Sequence, residues 1–74
     1  MSAAKKLISV VIPAFNEEDC IQELGRRLKI VMSDLDVYEF EVLIVENGST
    51  DKTWDLLQGI ASADKRFKPV RLSR

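Results

Sequence analysis

Histidine is absent from the sequence, and cysteine occurs once, as Cys20, in 74 residues. Without histidine there is no imidazole acid–base catalysis and no histidine metal ligand. A single cysteine permits neither an internal disulfide nor a cysteine zinc cluster. No apolar run is long enough to cross a bilayer, and the run after Lys5 and Lys6 stops at Pro13 without the small-residue cleavage site of a signal peptide. The sequence therefore predicts a protein of the cytoplasm.

An excess of one charge is also lacking. Lysine and arginine total 11 and acidic residues total 12, which gives a formal net charge of -1. The two signs are interspersed, so bulk electrostatics does not favour nucleic-acid binding. With 46% hydrophobic and 31% charged residues, the composition is that of an ordinary globular protein, and the length suits one small domain.

What is present is an alternation of strand-like and helix-like segments. Apolar, β-branched runs predict strands at residues 7–12, 40–45 and 67–72. Between them, apolar residues recur at steps of three and four, which predicts two amphipathic helices. Asn16 is predicted to cap the first helix, and Ser49 or Thr50 the second. The predicted inner faces comprise Ile21, Leu24, Leu28, Val31 and Leu35, and then Trp54, Leu57, Ile60 and Ala61.

This order predicts an α/β fold, a three-layer-type Rossmann-like β-α-β-α-β unit with parallel strands. Because parallel crossovers are right-handed, two crossovers that step the same way give the strand order 3-2-1 and place both helices on one face. The other face would then be bare, although the first two strands are apolar on both sides. Crossovers in opposite directions are the alternative. Residues 1–74 are therefore predicted to be one partial domain, or to hide the bare surface by self-association.

Polar loops follow the first two predicted strands. In open α/β sheets, ligands bind at the carboxyl ends of parallel strands, where neighbouring loops form a crevice. Phe15 offers an aromatic ring for a base, and the Glu17 carboxylate can accept hydrogen bonds from ribose hydroxyls. Asn47 has a donor and an acceptor suited to a base edge, and Gly48 permits a close backbone approach. Helix caps and turns are the alternative explanation for both loops.

Together, the stretches ISVVIPAFNEED and EVLIVENGSTDKTWDLL resemble the amino-terminal part of glycosyltransferase family 2, which has the GT-A fold. The resemblance covers Ile8 to Arg74 and is strongest to polyprenol-phosphate enzymes of the dolichyl-phosphate mannosyltransferase type. Members typically show V-I-P-x-Y-N-E and V-D-D-G-S-T-D. Here Phe15 replaces the tyrosine, and Glu46 and Asn47 replace the two aspartates. Asn47 keeps an acceptor for the base imide but without a charge, which weakens that hydrogen bond.

The resemblance implies a site for the nucleotide of a UDP-sugar or GDP-sugar donor. In the full-length enzyme it implies an inverting transfer of the sugar to a polyprenyl phosphate, at the cytoplasmic face of a membrane. The residues that it assigns to substrate binding are Pro13, Ala14, Phe15, Glu17, Val45, Glu46, Asn47 and Ser49.

The resemblance also implies what this chain lacks. The family's Asp-x-Asp motif, which binds Mg or Mn, and its acceptor-handling part follow later, so we expect no catalytic residue, no metal site and no turnover here. Asp34 and Asp36 spell that motif, but they follow the first helix, and we interpret them as a solvated helix end. Two alternatives remain. One is a structural fragment that self-associates and binds no nucleotide, and the other is a receiver-like or flavodoxin-like domain, although PAFNE lacks a receiver's acidic pair.

Overall fold

The computed structural model describes residues 4–72, which form three strands and two helices. The strands are β1 (Leu7–Ala14), β2 (Glu39–Glu46) and β3 (Phe67–Arg71), and the helices are α1 (Ile21–Asp34) and α2 (Thr53–Ala63). The predicted order β-α-β-α-β is confirmed. Ser73 and Arg74, at the end of the predicted domain, lie outside the described residues.

The sheet has the order β1-β2-β3, and both pairs of neighbouring strands are parallel. Ile12 is paired with Ile44, which is paired in turn with Pro69. This is the predicted order, and the Rossmann-like α/β fold is confirmed. Because the two right-handed crossovers step the same way, both helices lie on one face. Residues 4–72 thus form a sheet layer and one helix layer.

The hydrophobic core lies between the sheet and the helix layer. Strand side chains alternate between the two faces, so every second residue of β1 and β2 points into it. The buried hydrophobic side chains are Ala14, Ile21, Met32, Val42, Ile44, Leu57 and Phe67. At the carboxyl ends of β1 and β2, the last inward-facing positions are Ala14 and Glu46, which are paired with each other. The core therefore reaches directly to the two polar loops.

The opposite face of the sheet has no helix on it within residues 4–72. Val11 is 63% exposed and Leu7 is 57% exposed, and Val70 and Leu72 are exposed as well. Polar contacts also lie there: Glu41 accepts hydrogen bonds from the Ser9 hydroxyl and the Lys68 ammonium. We call this surface the open face and define it by the odd-numbered residues of β1 and β2 with their neighbours on β3. It was predicted from the topology that no helix of this chain would cover this face.

Strand β1 continues through Pro13, at which the sequence predicted its end. The carbonyls of Lys6 and Ala14 accept hydrogen bonds from the N–H groups of Glu39 and Asn47, at the start of β2 and just after its end. The backbone groups of the even-numbered residues of β1 therefore point towards β2. The nitrogen of Pro13 therefore points to the outer edge of the strand. Its missing N–H costs no ladder hydrogen bond, which is the situation in which a strand tolerates proline.

The inner stripe of α1 agrees with the prediction at Ile21, Leu24 and Leu28 but differs from it beyond them. Val31 is 49% exposed and Leu35 is 43% exposed, whereas Met32 and Gly25 are buried. Gly25 lies where α1 approaches α2 closely. A Cβ atom on Gly25 would lie 3.3 Å from Cδ1 of Ile60. A side chain at this position would therefore require Ile60 to move aside.

Candidate functional site

Two loops lie side by side at the carboxyl ends of β1 and β2. The first loop (residues 15–20) connects β1 to α1, and the second loop (residues 47–52) connects β2 to α2. The backbone N–H of Asn47 donates to the carbonyl of Ala14 at 3.0 Å, so the second loop begins as an extension of the sheet. The two predicted binding segments are therefore brought together.

Asn16 ties the first loop to the second by two hydrogen bonds. Its backbone N–H donates to Oγ of Ser49 at 2.9 Å, and its Oδ1 accepts from the backbone N–H of Thr50 at 2.9 Å. The backbone of Asn16 is left-handed, with φ of 51°, a conformation that asparagine tolerates better than most residues. The predicted role of Asn16 as a helix cap is wrong, because α1 begins only at Ile21. The Asn16 side chain instead accepts a hydrogen bond from the second loop.

The start of α2 supplies two further ties to the first loop. The backbone N–H of Glu17 donates to Oγ1 of Thr53 at 2.7 Å, and that of Glu18 donates to Oδ2 of Asp51 at 3.3 Å. Asp51 Oδ1 accepts from the N–H of Thr53 at 3.0 Å and from its hydroxyl. The predicted cap at Ser49 or Thr50 is wrong, because Asp51 and Thr53 stand at the beginning of α2.

These bonds also affect the acidity of Asp51. Partial desolvation alone would raise the pKa of its carboxyl group. Hydrogen bonds from Thr53 and from the N–H of Glu18 stabilise the carboxylate and outweigh that effect, so the pKa lies below its ordinary value. The side chain is therefore an anion that accepts from a backbone N–H of the first loop and from the first N–H of α2.

Glu46 is a fully buried carboxylate beneath the second loop. It is 0% exposed, and its Oε1 accepts a hydrogen bond from the backbone N–H of Ser49. Its Oε2 accepts from Nε of Arg71 at 3.1 Å. Hydrogen bonds from the hydroxyl and N–H of Ser49, together with the charge of Arg71, hold the pKa of Glu46 below its ordinary value. Glu46 is thus a paired anion inside the protein.

The guanidinium of Arg71 has a second contact. Its central carbon lies 5.2 Å from the ring centroid of Trp54, the only tryptophan of the chain. This is within the range of a cation–π interaction. Arg71 therefore connects the end of β3 both to the buried carboxylate of β2 and to the first turn of α2.

The alternation of a strand divides the predicted site residues into two groups. Ala14 and Glu46, which face the helix layer, are buried, and so is Ser49. Pro13 and Val45, which are paired on the open face, are exposed and half-buried respectively. Phe15 and Asn47 follow the strand ends and are exposed, and Glu17 is half-buried. The exposed group is accessible to a ligand, whereas the buried group lies under the loops. That Phe15 points outward agrees with the sequence analysis.

The side chain of Glu17 has one partner in its own loop. Its Oε2 accepts a hydrogen bond from Sγ of Cys20 at 3.1 Å. This bond, and secondarily the partial desolvation of the thiol and the negative charge of Glu17, raise the pKa of Cys20. The thiol therefore stays protonated at neutral pH. A ribose hydroxyl that approached Glu17 would compete with this weak sulfur donor.

Sequence reasoning missed the residues that join the loops. Asp51, Thr53 and Arg71 were not among the predicted site residues, although each bonds to a loop residue or to Glu46. A signal was present for two of them. An aspartate two residues before a threonine at a helix start is a common arrangement for capturing backbone N–H groups. No local signal indicates Arg71, because its partner lies 25 positions away.

Neither Asp34 nor Asp36 contributes to the loops. Both are exposed at the end of α1, as predicted for a solvated helix end. Among residues 4–72, no group of three or more histidine, cysteine, aspartate or glutamate side chains is placed to hold a metal ion. The residues described here do not fit a metal site, and the Mg or Mn ion stays a prediction for a longer protein.

Comparison with known proteins matches residues 9–74 to the family described as Glycosyl transferase family 2. The chain belongs to this family. An undecaprenyl-phosphate 4-deoxy-4-formamido-L-arabinose transferase of Pseudomonas syringae pv. syringae (strain B728a) is 41% identical over 70 residues, which are 93% of this chain and 20% of the relative. An uncharacterized glycosyltransferase of Synechocystis sp. is 39% identical over 67 residues, 90% of this chain and 21% of the relative.

The chain thus spans about a fifth of the length of the curated relatives that it matches. The resemblance to polyprenol-phosphate enzymes is confirmed by the names of several relatives, among them an undecaprenyl-phosphate transferase of Pseudomonas aeruginosa (strain LESB58), 43% identical over 58 residues, 78% of this chain and 17% of the relative. None of the helices within residues 4–72 has the length and apolar character needed to span a membrane.

Proposed function

We propose that these 74 residues bind the nucleotide of a nucleotide-sugar donor, UDP-sugar or GDP-sugar, for a glycosyltransferase of polyprenyl phosphate. The observation that carries the proposal is the pair of loops at the carboxyl ends of β1 and β2, joined by hydrogen bonds that involve Asn16 and Glu17. Loops at this end of neighbouring parallel strands are the usual nucleotide position in α/β folds. Membership of the family supports the same assignment.

The exposed residues of the loops have chemistry that suits a nucleoside. The ring of Phe15 is 53% exposed and offers a surface on which a base can stack. Asn47 is exposed at the start of the second loop and carries both a donor and an acceptor for a base edge. The Glu17 carboxylate accepts hydrogen bonds and suits ribose hydroxyls. Pro13 and Val45 are paired near the ends of β1 and β2, shortly before the two loops.

The remaining steps belong to the longer enzyme. There, we propose, the phosphate of a polyprenyl acceptor attacks the anomeric carbon of the sugar with inversion, at the cytoplasmic face of a membrane. A Mg or Mn ion would neutralise the leaving nucleoside diphosphate when bound. The residues described here hold the nucleoside, and we expect no sugar transfer by the 74-residue chain alone.

The proposal is tested by amide NMR of the chain, titrated with UDP and then GDP. We expect saturable shifts confined to residues 14–17 and 45–49, and the nucleotide that binds more tightly identifies the donor class. Phe15→Ala should weaken binding by about 1–3 kcal/mol, the value of one base stack. Val11→Ala removes another exposed apolar side chain, on β1 and away from the loops, so it is the control and should leave the affinity unchanged. Spectra indifferent to both nucleotides would contradict the proposal.

A second candidate function follows from the open face. Leu7, Val11, Val70 and Leu72 leave apolar area in solvent on one side of the sheet. Contiguous apolar patches on soluble proteins commonly mark interaction surfaces. A symmetric homo-oligomer that buries this face would be a structural role that needs no nucleotide.

A further inference from the structure

We propose that Glu46 and Ser49 are positioning residues that hold the first loop in its nucleotide-binding shape, and that neither contacts the nucleotide. The inference rests on the proposed function, because it names what sets the geometry of that site. It assigns to these two residues a role different from ligand contact, although they occupy positions at which the family motif carries polar residues.

The inference rests first on a continuous line of hydrogen bonds. Nε of Arg71 donates to Oε2 of Glu46 at 3.1 Å, and the N–H of Ser49 donates to Oε1 of the same carboxylate. Oγ of Ser49 accepts from the backbone N–H of Asn16 at 2.9 Å. The line therefore runs from the end of β3, through the end of β2, to the loop that follows β1.

The second support is burial. Glu46 is 0% exposed and Ser49 is 7% exposed, so neither side chain has surface to offer a ligand in this conformation. A buried carboxylate without partners would be costly, but both oxygens of Glu46 are occupied. In a low-dielectric interior, a charged acceptor strengthens the hydrogen bonds that reach it. Glu46 with its partners Ser49 and Arg71 is thus a fixed arrangement inside the protein, which we call the anchor.

The third support is what the anchor fixes. Asn16 lies between Phe15 and Glu17, the two first-loop residues proposed to contact base and ribose. Its left-handed backbone turns the chain between them, and the N–H of that same residue is the group held by Ser49. Movement of Ser49 would therefore change the direction of Phe15 relative to Asn47 without removing either side chain.

The chain contains a closely matched control. Glu41 lies on the same strand as Glu46 and also has a serine and a cation as partners, Ser9 and Lys68. Its contacts lie on the open face and do not reach the loops. Glu41→Gln therefore removes a similar charge with similar partners from the same strand, while the line of hydrogen bonds to Asn16 stays intact.

The experiment compares amide NMR spectra of the wild-type chain, Glu46→Gln, Ser49→Ala and Glu41→Gln, first without ligand and then with UDP or GDP. Without ligand, we expect the Asn16 and Glu17 amide signals to move in the first two variants and to stay in place in Glu41→Gln. With nucleotide, we expect the dissociation constant to rise about tenfold in the first two variants, as for a lost charge-assisted hydrogen bond, and to stay unchanged in the control.

A general loss of stability would lower the unfolding midpoint but would not move native-state signals at Asn16, so the spectra separate the two roles. Unmoved Asn16 and Glu17 signals, or an unchanged affinity in both variants, would overturn the inference. If the wild type binds neither nucleotide, the proposed function fails, while the ligand-free spectra still decide whether Glu46 positions the loop. Should Glu46→Gln fail to fold, Ser49→Ala decides, because it keeps the pair of Glu46 and Arg71.

Discussion

The backbone N–H of Asn16 donates to Oγ of Ser49 across 33 positions of sequence, at 2.9 Å. The Oδ1 of Asn16 accepts in turn from the N–H of Thr50. Asn16 thus both donates and accepts a hydrogen bond between the two loops, and its φ of 51° allows it to do both. Asn16 is therefore a structural centre of the candidate site, although its side chain is a short amide in an exposed loop.

Substitutions of Asn16 should separate its conformation from its hydrogen bond. Asn16→Gly keeps access to positive φ and loses only the Oδ1 contact, so we expect a loss of about 1 kcal/mol in the free energy of unfolding. Asn16→Ala also meets the left-handed strain and should lose about 1–2 kcal/mol more. Urea unfolding measures both values. Equal losses in the two variants would mean that the backbone conformation relaxes and does not depend on Asn16.

Much of the fold could be predicted, because the hydrophobic pattern of β1 and β2 is strong and parallel crossovers have one hand. The two errors in the fold have different causes. Pro13 was taken to end β1, but its nitrogen lies on the outer edge of the strand. The inner stripe of α1 was predicted to continue to Val31 and Leu35. Both are exposed, whereas Met32 is buried, and α1 approaches α2 closely at Gly25. That approach depends on a contact between helices, which periodicity does not contain.

The candidate site could be predicted less completely. The position of both loops followed from strand order, and so did the exposed ring of Phe15. The roles of Asn16, Ser49 and Thr53 could not be predicted in this way, because each side chain forms a hydrogen bond with a residue more than thirty positions away. A residue that caps its own helix and one that holds a distant loop have the same chemistry. Only the three-dimensional arrangement distinguishes them.

Thr53 should contribute to the stability of the folded chain through its hydroxyl, so that even the isosteric change Thr53→Val is destabilising. Its Oγ1 is buried and accepts from the N–H of Glu17. Thr53→Val keeps the shape but leaves that N–H without its acceptor, so we expect a loss of about 1–3 kcal/mol in the free energy of unfolding. Thr50→Val is the control. Thr50 is exposed and uses its backbone N–H, which valine retains, so the change should stay within about 0.5 kcal/mol. Equal effects would contradict a special role for Thr53.

Two helix glycines provide a matched pair. Replacement of glycine by alanine in a helix stabilises by about 0.5–1 kcal/mol where the new methyl group fits. A Cβ on Gly59 has nothing within 4 Å, so Gly59→Ala should show the full gain. A Cβ on Gly25 would lie 3.3 Å from Cδ1 of Ile60, which must move aside, so Gly25→Ala should gain less. Thermal unfolding of both variants tests this, and a larger gain at Gly25 would contradict the close approach of α1 and α2.

Acid should weaken the anchor at Glu46. Its hydrogen bonds from Ser49 and the charge of Arg71 lower its pKa in the folded chain. A lowered pKa contributes stability that is complete above the unfolded value, 4.5, and is lost as the pH falls through the folded-state pKa. We therefore expect the free energy of unfolding of the wild type to decrease as the pH is lowered below 4.5. The decrease should be smaller in Glu46→Gln. Urea unfolding from pH 7 to pH 3 measures this, and parallel curves would show that other carboxylates cause the acid sensitivity.

Self-association through the open face is tested by placing a charge on it. Val11 is 63% exposed in the middle of β1 on that face, so Val11→Lys should abolish any dimer that buries β1 against another copy. Val31→Lys makes the same change on the outer side of α1, where Val31 is 49% exposed, and should leave the association constant unchanged. Sedimentation velocity over a range of concentrations distinguishes the variants. A monomeric wild type, or equal effects of the two lysines, would contradict the oligomer and leave nucleotide binding as the proposal that accounts for this chain.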